Sequence, residues 1–339
     1  MLIMLFLLSA ALTLTVCLKA EAIGRALGIM DVPDPEGRKR HRQATPLVGG
    51  LAVILPVIAT ALYNSGATGI PIFHAYALVL GGGLILGLLD DRNHLPPSFR
   101  LGAAAIVAMV GIWMFPAFEI QFLRFTFLDV PIFTDGWGLP FTVLCLVGLQ
   151  NAVNMADGKN GLVIGLSFIW GVILCFYAPV HLYPLLATLL AGLAITLAFN
   201  LQSKLFLGDA GAYALSLAVG LLALYIYNVS FVSVPADMVA LWFLIPVVDC
   251  VRLMARRMMQ KRSPFSPDRE HLHHILLRFM GWDKALIAYL SIVFIPCLLA
   301  MWLPQLTLLW AGLVMTVYVM VLGAARILQV EEGQPHSSR

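Results

Sequence analysis

The sequence predicts an all-α polytopic membrane protein with about eleven transmembrane helices, its N-terminus outside and its C-terminus cytoplasmic. Three observations carry this. Apolar residues fill 60% of the 339 positions and charged residues only 12%, about half the charged share of a soluble domain. Eleven mainly apolar stretches are centred near residues 10, 55, 80, 109, 147, 170, 191, 219, 246, 294 and 316, and each approaches the roughly 20 residues that a helix needs to cross a bilayer. None alternates with period two, so barrel strands are excluded.

In chain order, the first stretch, Met1 to Leu18, lacks a basic leader and a small-residue cleavage site, and reads as a retained helix rather than a signal peptide. The other ten follow with connections too short for a soluble domain. Residues 1–330 therefore read as one domain, with residues 331–339 as a disordered tail. Orientation follows from basic residues, which concentrate in cytoplasmic loops. One set of loops and span ends holds twenty of the 21 Lys and Arg residues, and the opposite set holds only Arg124. That bias also accounts for the net charge of +3, which calls for no nucleic-acid partner. Cys17, Cys145, Cys175, Cys250 and Cys297 are scattered through the apolar spans without a CxxC, as packing residues are.

Four polar segments fall on the predicted cytoplasmic face. Asp90-Asp91 ends the third span, where two acids oppose the helix macrodipole and a basic residue would be preferred. This favours function over a plain helix stop. Asn151, Asn154 and Asp157 are spaced by three at the end of the fifth span, followed by Gly158 and Asn160-Gly161. They form a polar face opening into a turn whose glycines let backbone N–H groups approach a ligand. Asp209, in FLGDAG before the eighth span, is either the N-cap of that helix or a Mg2+ ligand. Ser263 to His274 carries His271, His273 and His274, flanked by Arg262 and Arg269. Zinc is one reading of the histidines; an anionic diphosphate suits them better, because no cysteine accompanies them. Asp249, about two turns from the inner end of the ninth span, is an intramembrane acid with Arg252 or Arg256 as neutralising partners. The basic run in GRKRHRQATPLVGG is explained by topology or anionic head groups.

In order and spacing, RKRH…PLVGG, DDR…R, NxxNMxDGxNGL, FxGDAG, PxxD and SPFSPDRxHxHH resemble the polyprenyl-phosphate N-acetylhexosamine-1-phosphate transferase family, from about Asp31 to about Leu277. The nearest branch uses undecaprenyl phosphate and UDP-GlcNAc to initiate bacterial surface polysaccharides. The resemblance implies that Asp90 and Asp91 handle the lipid phosphate and that Asp209 holds Mg2+, with Mn2+ an acceptable substitute. It implies that Asp157, Gly158, Asn160 and Phe206 surround the uracil, and that His271, His273 and His274 lie near the diphosphate and sugar. Asp90, Asp91, Asp157 and Asp209 are then the expected catalytic set. Lys39, His41, Asn151, Asn154, Gly158, Asn160, Phe206, Arg262, Arg269 and the three histidines are the expected substrate contacts. Many bacterial members carry Asp where this chain has Asn160, so that position is no base here.

The implied reaction is phosphoryl transfer. An oxygen of undecaprenyl phosphate attacks the sugar-bearing phosphorus of UDP-GlcNAc, and UMP leaves. UDP-GlcNAc is favoured as donor, with another UDP-N-acetylhexosamine as the alternative; whether Asp90 or Asp91 meets the lipid phosphate, and whether transfer takes one step or two, stay open. The implied setting is the bacterial inner membrane with the site on the cytoplasmic face; the lipid bilayer is a partner and a homodimer is admissible. A secondary transporter is the rival reading, but transporters place ionisable groups near the midplane in broken helices. A catalytically dead scaffold is a third.

Overall fold

The computed structural model describes residues 2–32, 44–266 and 268–333. Helix α1 (Leu2–Leu18) bends by 70° into the short α2 (Ala20–Leu27). Strand β1 (Met30–Asp31) pairs antiparallel with β2 (Thr45–Pro46). Then come α3 (Gly49–Thr68), α4 (Pro71–Asn93) and α5 (Pro97–Met114). A hairpin of β3 (Phe122–Leu123) and β4 (Ile132–Phe133) leads to α6 (Gly138–Ala156), α7 (Leu162–Tyr177), α8 (Tyr183–Leu201), α9 (Gly208–Ser230) and α10 (Ala236–Met259). The short α11 (Leu272–Met280) precedes α12 (Trp282–Trp302) and α13 (Thr307–Gly333).

Each of the eleven predicted centres falls inside a helix. Among the described residues nine helices are long and apolar enough to span, and the bent α1–α2 pair makes a tenth. The remaining centre lies in α7, apolar but only 16 residues long. The chain is thus an all-α, multi-pass membrane protein. Helix α13 runs through Gly333, into the stretch expected to be a disordered tail. The amphipathic α11 is an element beyond the sequence expectations: only its first three residues belong to the polar segment Ser263 to His274.

Helix α9 is the hub, with 94% of its apolar stretch buried in protein. Glycines let its neighbours approach. A Cβ on Gly87 of α4 would stand 2.3 Å from Ala210 Cα, and one on Gly50 of α3 2.3 Å from Gly211 N. With little hydrophobic drive between helices in lipid, such small-residue contacts supply the close packing that holds a bundle. Hydroxyls add to this where Thr60 of α3 bonds Ser9 of α1 (3.2 Å) and Thr188 of α8 (3.1 Å). Helix α13, by contrast, is buried over only 11% of its apolar stretch.

Candidate active site

The FLGDAG segment is held by the start of α3. The Phe206 N–H donates to Pro46 O, Gly49 N–H to Phe206 O and Gly50 N–H to Leu207 O, at 2.9–3.0 Å. Gly208 turns the chain into α9 with φ +76°, a left-handed value that a side chain resists. The TPLVGG sequence thus brackets the loop before Asp209.

Asp209 is not the cap of α9. It is the second residue of the helix, and the cap position, Leu207, offers no side-chain acceptor. The acceptor comes from α4. Asp91 Oδ1 takes the Asp209 N–H (2.8 Å) and Oδ2 takes the Ala210 N–H (3.0 Å), satisfying donors that a helix start leaves unpaired. The Asp209 carboxylate itself accepts from Asn154 Nδ2. Asp90 is built differently. It is buried, and its oxygens accept from Leu95 N (2.8 Å), Arg100 Nη1 (3.0 Å) and the Tyr213 hydroxyl (2.6 Å). It locks the turn between α4 and α5 against α9.

Asp157 follows the last residue of α6, partly buried. Burial, and second the Asp209 charge, push its carboxyl up to about 7. The turn after it is pinned on both sides. Asn160 Nδ2 donates to Ser203 Oγ (2.8 Å), Trp282 Nε1 donates to Asn160 O (3.0 Å), and the Gly161 N–H donates to Asn200 Oδ1 (2.6 Å).

The histidine segment is clamped by α10. Arg257 donates to Asp268 (2.7 Å) and Pro264 O (2.5 Å), Arg256 pairs with Glu270, and Arg252 donates to Glu270 O (2.7 Å). His271 donates through Nδ1 to Asp249 (3.0 Å). Of the two partners expected for Asp249, Arg252 is the one that pairs with it, at 2.8 Å. His273 lies beneath Gly158, and its Nε2 has no hydrogen-bond partner among the described residues. Burial pushes it well below the usual imidazole range, and burial with nearby positive groups lowers His274 to about 4. Both are neutral near pH 7.

A cavity of about 750 Å³ gathers these segments. Of the expected residues, Asp91, Asn154, Asp157, Gly158, Asn160, Phe206, Asp209, Arg269 and His274 line it. Asp90, Asn151, Arg262, His271 and His273 do not. Asn151 turns its amide back onto Val147 O (2.8 Å), and Arg262 is exposed. Lys39 and His41 fall outside the described residues. The wall also holds His94, Lys159, Asn200, Ser203 and Trp282, which the sequence reading did not assign to the site. Two of them carry a structural signature, left-handed backbone at His94 (φ 49°) and Ser203 (φ 56°).

Among the described residues no three His, Cys, Asp or Glu side chains are arranged to enclose a metal, the histidine segment included. The donor set instead suits an ion that binds one or two carboxylates and fills its shell with water and phosphate oxygens, as Mg2+ does. A second cavity of about 610 Å³ opens between α6, α9 and α10. Its wall is almost wholly apolar, from Leu123 and Phe141 to Leu149, Val247 and Val251.

Residues 72–227 match the family model of glycosyl transferase family 4. An undecaprenyl-phosphate alpha-N-acetylglucosaminyl 1-phosphate transferase of Escherichia coli K12 is 32% identical over 274 residues, 76% of this chain and 72% of that protein. The Yersinia pestis protein of that description is 31% identical over 300 residues, 83% and 78% of the two chains. A probable undecaprenyl-phosphate N-acetylglucosaminyl 1-phosphate transferase of Bacillus subtilis is 30% identical over 286 residues, 78% and 75%.

Proposed function

Because this chain belongs to glycosyl transferase family 4, we propose that it transfers GlcNAc-1-phosphate from UDP-GlcNAc to undecaprenyl phosphate, releasing UMP. The observation that carries this reading is the convergence of Asp91, Asn154, Asp157, Asp209, Arg269 and His274 on one cavity, with a separate apolar groove in the same bundle. A polar donor and a polyprenyl acceptor need such a pair of sites.

An oxygen of the lipid phosphate attacks the sugar-bearing phosphorus, that phosphorus–oxygen bond forms, and the bond to the UMP oxygen breaks. The attacking phosphate is ionised near pH 7, so positioning and charge neutralisation matter more than a base. Asp209 is the proposed ligand of Mg2+, or Mn2+, with Asp157 beside it; the bound ion would neutralise diphosphate charge. Asp91 aims Asp209 by holding its helix. Arg269 and His274 donate to the diphosphate, and Phe206, Asn160 and Trp282 line the nucleotide end. The polyprenyl chain lies in the groove between α6 and α10. Asp90 acts through Arg100 and Tyr213, outside the cavity.

The basic bias, twenty of 21 Lys and Arg residues on one side, supports a site on the cytoplasmic face. A cysteine at the exposed position 262 in a cysteine-free background should resist an impermeant thiol reagent in intact cells and react after lysis. The reaction itself is tested with purified protein, undecaprenyl phosphate and a panel of UDP-sugars, following UMP. UMP release that needs both undecaprenyl phosphate and UDP-GlcNAc is expected. Release with UDP-GalNAc alone would move the assignment to another N-acetylhexosamine, and no release with any sugar would overturn it.

A further inference from the structure

We infer that Asp249 is a positioning residue for this reaction: with Arg252 and Tyr318 it fixes the histidine segment so that Arg269 and His274 face the cavity. Asp249 itself does not line that cavity, and only 3% of its surface is exposed. Its Oδ1 accepts from Arg252 (2.8 Å) and from the Tyr318 hydroxyl (2.7 Å). Its Oδ2 accepts from His271 Nδ1 (3.0 Å) and from the Leu272 N–H (3.2 Å). An ionised carboxylate offers about four acceptor sites. All are used, leaving none for a substrate or a metal.

These bonds decide where α11 begins. His271 is its cap residue and Leu272 its first, so Asp249 takes one of the donors that a helix start leaves unpaired. His274 sits in the first turn, and its direction follows. The His271 ring lies nearly parallel to that of His273, 5.3 Å away with 14° between planes. His273 in turn abuts Gly158, where an added Cβ would stand 2.6 Å from Nε2. The line Asp249–His271–His273–Gly158 therefore joins α10 to the turn that carries Asp157. Asp249, Arg252, Arg256 and Arg257 fall at helical spacing on one face of α10, and each grips the segment.

Tyr318 extends this frame to α13. It lies outside the family match at residues 72–227, yet its hydroxyl also receives the Arg252 Nε hydrogen bond at 2.6 Å. The last helix is thereby part of the site's support.

The inference takes its substrate from the proposed function, and the test separates the two. Full-length wild type, Tyr318→Phe and Asp249→Asn are compared in nanodiscs. Without substrate, amide hydrogen exchange over residues 268–276 should quicken roughly tenfold in Tyr318→Phe and more in Asp249→Asn, the scale of one lost bond to a charged group. KM for UDP-GlcNAc should rise by a similar factor in Tyr318→Phe, with kcat and KM for undecaprenyl phosphate within about twofold of wild type. Unchanged exchange, or a defect confined to the lipid KM, overturns the inference. Should Asp249→Asn fail to fold, Tyr318→Phe decides alone. Should wild type transfer no UDP-sugar, the functional reading falls, and exchange still decides the positioning role.

Discussion

Asp91 caps the helix that presents Asp209. Both oxygens of the α4 acid take backbone N–H groups of α9, at 2.8 and 3.0 Å, so the reach of one carboxylate is set by another 118 residues earlier. Asp209→Asn should lose nearly all transfer and need more Mg2+ for the activity that remains, because a neutral amide is a poor ligand for a hard dication. Asp91→Asn keeps one acceptor and should leave measurable transfer, lowered roughly ten- to hundredfold, with a smaller shift in the Mg2+ requirement. Mg2+ titrations of the two variants check the order. Equal and complete loss in both would make Asp91 a reactant rather than a support.

The close crossing of α3, α4 and α9 should not tolerate a methyl group. Gly87→Ala and Gly50→Ala each place a carbon 2.3 Å from α9 backbone, which has no flexible end to yield. Overpacking of this kind costs roughly 1–3 kcal/mol or more, enough to lower Tm by several degrees. Gly81→Ala, with nothing within 4 Å of its new Cβ, should be neutral or slightly stabilising in its helix. Thermal unfolding of the three variants in detergent measures the contrast.

How far the sequence reaches is clear from two pairs of residues. The spans were legible because a length of apolar chain is a one-dimensional property, and Asp91, Asp157 and Asp209 because polar groups at span ends need a reason. Asp90 and Asp91 look alike in sequence, yet one is locked by Arg100 and Tyr213 and the other faces the cavity. His271 and His274 divide in the same way, through Asp249 and Tyr318 on helices α10 and α13. Such partners are distant in the chain, and spacing does not reveal them. Trp282, Asn200 and Ser203 were not legible because each reaches the cavity through a bond to the distant Asn160-Gly161 turn, and spacing along the chain does not reveal that contact.

Asp157 should make stability pH-dependent when no divalent ion is present. Its folded-state value of about 7 stands above the ordinary 3.8, so between those values the folded protein keeps a proton that the unfolded chain has released. Stability therefore falls as pH rises through that window. In EDTA, Tm should drop from pH 5 to pH 8, with a flatter slope in Asp157→Asn. Adding Mg2+ should restore more stability at pH 8 than at pH 5. A slope unchanged in Asp157→Asn would assign the proton elsewhere.

His274 and His273 should fail in different ways when replaced by Ala. His274 lines the cavity and is only partly buried, so its loss removes a donor to the diphosphate while leaving the packing intact. A hydrogen bond to a charged partner is worth roughly 1.5–3 kcal/mol, so kcat/KM for UDP-GlcNAc should fall about ten- to hundredfold at unchanged Tm. The KM for undecaprenyl phosphate should hold, since this segment does not line the apolar groove. His273 is 1% exposed beneath Gly158, and its truncation leaves a void under the turn that carries Asp157. Its variant should lose several degrees of Tm together with activity. Because the folded protein holds His274 near 4, the bond is to a neutral imidazole until a diphosphate raises that value. Nucleotide binding should then take up protons on the acid side of neutrality, a signal that calorimetry in buffers of different ionisation enthalpy reads directly. Proton uptake undiminished in His274→Ala would place the titrating group on another residue of the cavity.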